Sequence, residues 1–172
     1  MNKMKEIVSI LIENNHYSPV IRRTIELILN DKMNSIELNK CLSENNASMD
    51  DVKPEAMSLI IDYARVILED GVITHDEMKN ITLLKLFYRI REGEFFEFGK
   101  KEDVTNLLLQ QLRKLYEDNI IDKDEAIKKT ELQELFGLCY DDFLEINSIA
   151  AKEAIERGAD KEKLDAIFDY VL

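Results

Sequence analysis

Residues 69–77 read EDGVITHDE, and 48 positions later residues 117–125 read EDNIIDKDE. Each stretch lies between two runs with helical apolar spacing, so each is a joint between helices. Gly71 in the first copy and Asn119 in the second supply a left-handed residue that ends the preceding helix. The aliphatic pairs Val72–Ile73 and Ile120–Ile121 drop back onto a core and set the exit angle. Thr74 with Glu77, and Asp122 with Glu125, have capping-box spacing for the next helix. Asp76 and Asp124 add negative charge near a helix N-terminus, where the macrodipole favours it. Asp70 and Asp118 are left over: they fall at helix C-terminal ends, where an anion is disfavoured. A neighbouring cation, solvent or a metal would account for them.

The joints do not read as EF-hand loops. With Gly71 at the loop glycine and Glu77 at the bidentate position, the first and third ligands fall on Val66 and Leu68. In the second copy the same positions are Lys114 and Tyr116. Calcium takes six or more oxygens, mostly from carboxylates, carbonyls and water; Val66 and Leu68 have no side-chain oxygen, and Lys114 and Tyr116 offer no carboxylate or amide at the start of the loop.

Helical periodicity extends outward from both joints. Met4, Ile7, Val8 and Leu11 form one stripe. Ser18 followed by Pro19 reads as an N-cap with proline at the first helical position. Asn34 with Glu37 has capping-box spacing. The segment 47–53 reads as a polar connection before Pro54, after which Ala56, Leu59, Ile60, Tyr63 and Ile67 form the next stripe. Beyond the first joint, DEMKNITLLKLFYRI is helical, and REGEFFEFGKK, with two glycines and three phenylalanines, breaks the pattern. Val104, Leu107, Leu108, Leu112 and Leu115 restore it. Gly158 reads as a helix stop, and Asp160 as the cap of a final helix with Leu164, Ile167, Phe168 and Val171. The expectation is an all-α bundle of about nine helices, with no strand. An extra N-terminal helical segment, residues 1–53, packs on a repeat-bearing domain, residues 54–172.

Only 5 Gly and 2 Pro in 172 residues agree with helices over a turn-rich β fold. Cys41 and Cys139 lie far apart and outside any CxxC spacing, which argues against a disulfide framework or thiolate metal site. The apolar run Ile7–Ile12 ends at Glu13, too short for a secretory core or a membrane span, so a cytoplasmic protein is expected. The formal charge of −12 is uneven: residues 1–53 carry 7 basic against 8 acidic side chains, and residues 54–172 carry 16 against 27. Such a surface repels phosphate backbones and excludes nucleic acid as the expected partner. No HExxH, P-loop or GxSxG pattern occurs, so no catalytic or cofactor-binding residues are assigned. His75, between Thr74 and Asp76, reads as a surface residue at a helix start.

The stretch LRKLYEDNIIDKDEAIKKTELQELFGLCYDDFLEI, residues 112–146, resembles the tellurite-resistance TerB-like family of all-helical bacterial domains. In that family a helix ends in Asp-Gly, an aliphatic residue and a capping residue precede a Glu, and the next helix ends in Leu/Phe-Gly-aliphatic. Leu135–Phe136–Gly137–Leu138 and the acidic-Phe pair Asp142–Phe143 match the later positions. The likeness covers roughly residues 54–170. Asn119 replaces the usual Gly, and the first copy lacks the Gly-Leu-x-x-x-Asp-Phe continuation.

The resemblance implies pseudo-symmetric paired helices, an acidic surface for divalent cations and a role in stress response, with no established enzyme activity. Carried over by position, the acidic candidates are Asp70, Glu77, Asp118, Asp122 and Glu125. If pseudo-twofold packing brings the joints together, these carboxylates form an oxygen-rich site for Ca²⁺, Mg²⁺ or Mn²⁺. The competing reading keeps them as caps and solvated charge. The expected function is a non-enzymatic interaction or stress-response module with a protein partner. The alternatives are a metal-dependent hydrolase using the same carboxylates and a metal-free structural adaptor. Phe95, Phe96 and Phe98 either plug the end of the bundle or form a docking surface.

Overall fold

The computed structural model describes residues 3–71, 73–117, 123–160 and 164. Among them are nine helices and no strand: α1 Lys3–Asn14, α2 Pro19–Leu29, α3 Ser35–Glu44, α4 Met49–Ile67, α5 His75–Phe87, α6 Glu94–Glu97, α7 Lys101–Leu115, α8 Lys123–Phe136 and α9 Tyr140–Glu156. No helix of the described residues is long and apolar enough to cross a membrane. Leu164 is helical and buried, with its N–H on the Asp160 carbonyl at 3.2 Å. The other apolar positions expected for a final helix, Ile167, Phe168 and Val171, lie outside the described residues.

Local chemistry starts most helices where the sequence places them. Ser18 accepts the Ile21 N–H, with Pro19 at the first position of α2. Asn34 accepts the N–H groups of Ile36 and Glu37, but Glu37 closes no box; the Asn34 N–H bonds the Lys32 carbonyl at 2.9 Å instead. The stretch read as a polar connection before Pro54 is the first turn of α4. Ser48 and Asp51 form a full capping box, and Pro54 sits inside the helix. The N–H that Pro54 lacks would have met the carbonyl of exposed Asp50, which water can satisfy. The stretch read as a break holds the one-turn helix α6, entered through left-handed Gly93 (φ 79°) and followed by left-handed Gly99.

The stripes on α1, α4 and α7 all enter one continuous core. Helices α1 and α2 pack on α4, and α3 packs on α2. The hairpins α4–α5 and α7–α8 pair, with α4 against α7 and α5 against α8, and α9 lies along α7. Buried phenols pin these layers, because a buried hydroxyl without a partner costs about 1–3 kcal/mol. Tyr88 at the end of α5 meets Thr24 of α2 at 2.8 Å, Tyr63 of α4 accepts from Asn80 of α5 at 3.2 Å, and Tyr116 donates to Asn147 of α9 at 2.6 Å.

Candidate functional site

The first joint has the expected local form. Gly71 is left-handed (φ 73°) and its N–H returns to the Leu68 carbonyl at 3.1 Å; Ile73 packs against the core. Thr74 and Glu77 make the full capping box: one Glu77 oxygen accepts from the Thr74 N–H at 2.8 Å and from its hydroxyl at 2.7 Å, and the Glu77 N–H reaches the Thr74 hydroxyl at 3.3 Å. Glu77 is only 1 % exposed. Its other oxygen lies 2.6 Å from the Lys3 ammonium, an ion pair rather than a well-aligned hydrogen bond. Burial pushes the Glu77 carboxyl up, but Lys3 and the Thr74 donors outweigh it and hold the group below the usual carboxylate range. Glu77 and, more weakly, Asp70 and Glu6 raise Lys3 in turn.

Of the five expected metal ligands, Asp70 and Glu77 come together: both line a groove between α1 and the first joint. The cation in that groove is the ammonium of Lys3. A divalent ion there would have to displace Lys3 and take Glu77 out of its cap. Glu125 is half-buried in the first turn of α8, and exposed Asp124 precedes it. Asp118 and Asp122 lie outside the described residues, as do Val72, Asn119, Ile120 and Ile121. Among the described residues no three His, Cys, Asp or Glu side chains are placed to hold a metal ion. His75 is exposed in the first turn of α5.

The cap is measurable. Thr74→Ala is expected to cost about 1 kcal/mol of unfolding free energy. Urea denaturation checks it, with an unchanged denaturant slope showing that the unfolded state is not the source.

A second charged site has no counterpart among the expected residues. Glu94, 2 % exposed, opens α6 and takes the Lys53 ammonium on both oxygens at 2.8 and 2.9 Å. The Arg91 backbone N–H and guanidinium also donate to it, at 2.7–2.9 Å. Burial acts to raise the Glu94 carboxyl, yet Lys53 and Arg91 bring it down to about 2. Lys53 is itself buried and lies 5.6 Å from the centre of the Phe98 ring. The sequence does carry a signal for this pair: Lys53 is in phase with buried Met57, Ile60 and Ala64 of α4, where an unpaired charge is untenable.

The phenylalanines around Glu94 close the end of the bundle. Phe95 is fully buried and meets Phe136 edge-on, centroids 5.2 Å apart, while Phe96 and Phe98 are half-buried. The Gly93 N–H donates to the Gly137 carbonyl at 3.0 Å, tying α6 to the corner between α8 and α9. Lys85 donates to the Glu134 carbonyl at 2.9 Å, at the C-terminal end of α8, where a cation is favoured.

The outer side of α9 is different in character. Tyr140 (56 % exposed), Leu144 and Ile155 share one edge of the helix, with exposed Asp141, Glu145 and Glu156 beside them and Lys152 between. Glu145 and Glu153 reach Lys101 and Arg113 of α7, the latter through two contacts of 2.7 Å.

No family model, curated protein or solved structure matches the chain.

Proposed function

We propose that this protein is a TerB-like, non-enzymatic interaction module whose outward face of α9 binds a basic, amphipathic segment of a protein partner. The observation that carries the reading is the edge of Tyr140, Leu144 and Ile155 set among Asp141, Glu145 and Glu156. Exposed aromatic and aliphatic side chains supply contact area, and the carboxylates select a cationic partner and repel acidic ones. The excess of acid over base in residues 54–172, 27 against 16, extends that field across the repeat-bearing part of the chain. The TerB-like reading is supported by the paired hairpins α4–α5 and α7–α8 and by left-handed Gly71 followed by the Thr74–Glu77 box.

The test is fluorescence anisotropy with a labelled synthetic helix of leucine and lysine as the probe. The expected result is saturable binding that weakens with added salt and drops about tenfold or more in Tyr140→Ala with Leu144→Asp. Ile36→Asp provides the control: Ile36 is 79 % exposed on α3, in the near-neutral part of the chain. Equal losses from both variants, or none from either, would sink the proposal.

A further inference from the structure

The longest stretch of the chain without an acidic side chain is MKNITLLKLFYRIR, residues 78–91, which carries Lys79, Lys85, Arg89 and Arg91. In a protein of formal charge −12 this is a basic island, and it runs through α5 and the turn after it. Two of its cations are engaged within the fold, Lys85 on the Glu134 carbonyl and Arg91 on Glu94. Lys79 and Arg89 are exposed. The Arg89 guanidinium donates to the side-chain oxygen of Asn39 at 2.7 Å, a neutral partner that does not cancel its charge.

Leu83 and Leu86 lie between these two cations, 38 % and 68 % exposed. Lys79, Leu83 and Leu86 are spaced by four and three residues and so share one edge of α5. Arg89 follows three residues later, just past the helix end. The inward edge holds Ile81 and Leu84, both in the core. Core packing therefore accounts for the buried apolar residues of α5 and leaves its outward leucines unexplained.

An apolar edge flanked by cations complements the outward edge of α9, where Tyr140, Leu144 and Ile155 are set among Asp141, Glu145 and Glu156, with Lys152 between. The lengths agree as well. The line from Lys79 to Arg89 runs about 15 Å, within the about 22 Å from Tyr140 to Ile155.

We propose that the partner of the α9 face is α5 of a second copy of this chain. Leu83 and Leu86 rest against the apolar edge of α9, and Lys79 and Arg89 meet the carboxylates beside it. The inference rests on the α9 reading above and names its partner. Unlike faces meet, so the contact is heterologous, and each added copy brings a further edge of each kind. Both faces are narrow and every copy carries the same net charge, so the contact is weak and depends on concentration.

The test is sedimentation velocity of the full chain from about 10 µM to about 1 mM. The expected result is a sedimentation coefficient that rises with concentration. Leu83→Asp with Leu86→Asp, and separately Tyr140→Ala with Leu144→Asp, are each expected to weaken self-association about tenfold or more. Mixed in equal amounts, the two variants are expected to associate with each other, since one keeps the α9 edge and the other the α5 edge. The leucine–lysine helix that probes α9 is expected to disperse assemblies of the unaltered protein, which decides the matter even if a variant fails to fold. A chain that binds this helix but stays monomeric at the highest concentration would overturn the second copy and leave the α9 reading standing. A helix that does not bind would remove both. Association undiminished in either variant, no recovery on mixing two folded variants, or assemblies that the helix leaves intact would each overturn the proposal.

Discussion

Glu94→Gln is expected to lower the unfolding free energy by about 3–5 kcal/mol, the range for breaking a buried ion pair by removing one partner. The replacement keeps the volume and can still accept the Arg91 N–H, but it leaves the Lys53 ammonium buried without a counter-charge. In the native protein Lys53 contacts both Glu94 oxygens, and both residues are almost wholly out of water. Arg91 is exposed, so its contribution is screened and does not rescue the variant. Removing both charges should be milder than removing one: Lys53→Met with Glu94→Gln is expected to recover most of the loss.

The pH dependence gives an independent check. The folded-state value of the Glu94 carboxyl lies at about 2, below its ordinary 4.5. The unfolded chain therefore binds the proton first as acid is added. The group stabilises the fold fully above about pH 4.5 and loses that contribution as the pH falls towards 2, on the order of 3 kcal/mol in all. Urea titrations at neutral pH and at about pH 3 should thus show the gap between native protein and Glu94→Gln narrowing with acid. A gap below about 1 kcal/mol at neutral pH, or a double variant no better than the single one, would mean that the buried pair is not held as described.

The same pair shows where sequence reading stops. Apolar stripes are local, so Met4 to Leu11, Ala56 to Ile67 and Val104 to Leu115 are legible from spacing alone. Caps are local too, and Ser18 and the Thr74–Glu77 box occupy their expected places. Pro54 misleads because proline usually marks a helix start, whereas here Ser48 and Asp51 start the helix six residues earlier. The glycine-flanked phenylalanine stretch misleads because Gly93 and Gly99 bracket a helix of one turn, too short for periodicity. Neither charged site is local. Glu94 finds its partner 41 residues back, and Glu77 meets Lys3, at the other end of the N-terminal segment. Carboxylates at a joint read equally well as ligands or caps, and only the arrival of Lys3 from α1 shows what meets Glu77. How the hairpins pair depends on how two distant helix faces meet, which spacing along the chain does not carry.

Phe95→Ala is expected to cost about 3–5 kcal/mol, the range for deleting a fully buried aromatic side chain whose surroundings relax only in part. Phe95 has no exposed surface and meets Phe136 of α8 edge-on. Its turn is fixed on both sides, by Glu94 on Lys53 and by the Gly93 N–H on the Gly137 carbonyl, so little backbone movement is available to fill the void. Phe96 and Phe98 are half-buried, with the ammoniums of Lys101 and Lys53 at 5.3 and 5.6 Å from their ring centres. Replacement by Ala should cost about 1 kcal/mol at Phe96, where water reaches the ring and the cation, and about 2 kcal/mol at Phe98, whose ring faces the buried Lys53 ammonium. Urea denaturation of the three variants ranks them. Because Glu94 and Phe95 fix the same turn, their combined loss should fall short of the sum of the single losses. A steep cost at Phe95 with shallow costs on either side is the signature of a plug, because a docking surface keeps its aromatics where truncation leaves the fold unharmed. Near-neutral behaviour at Phe95 would return all three rings to the surface and reopen this turn as a place where a partner binds.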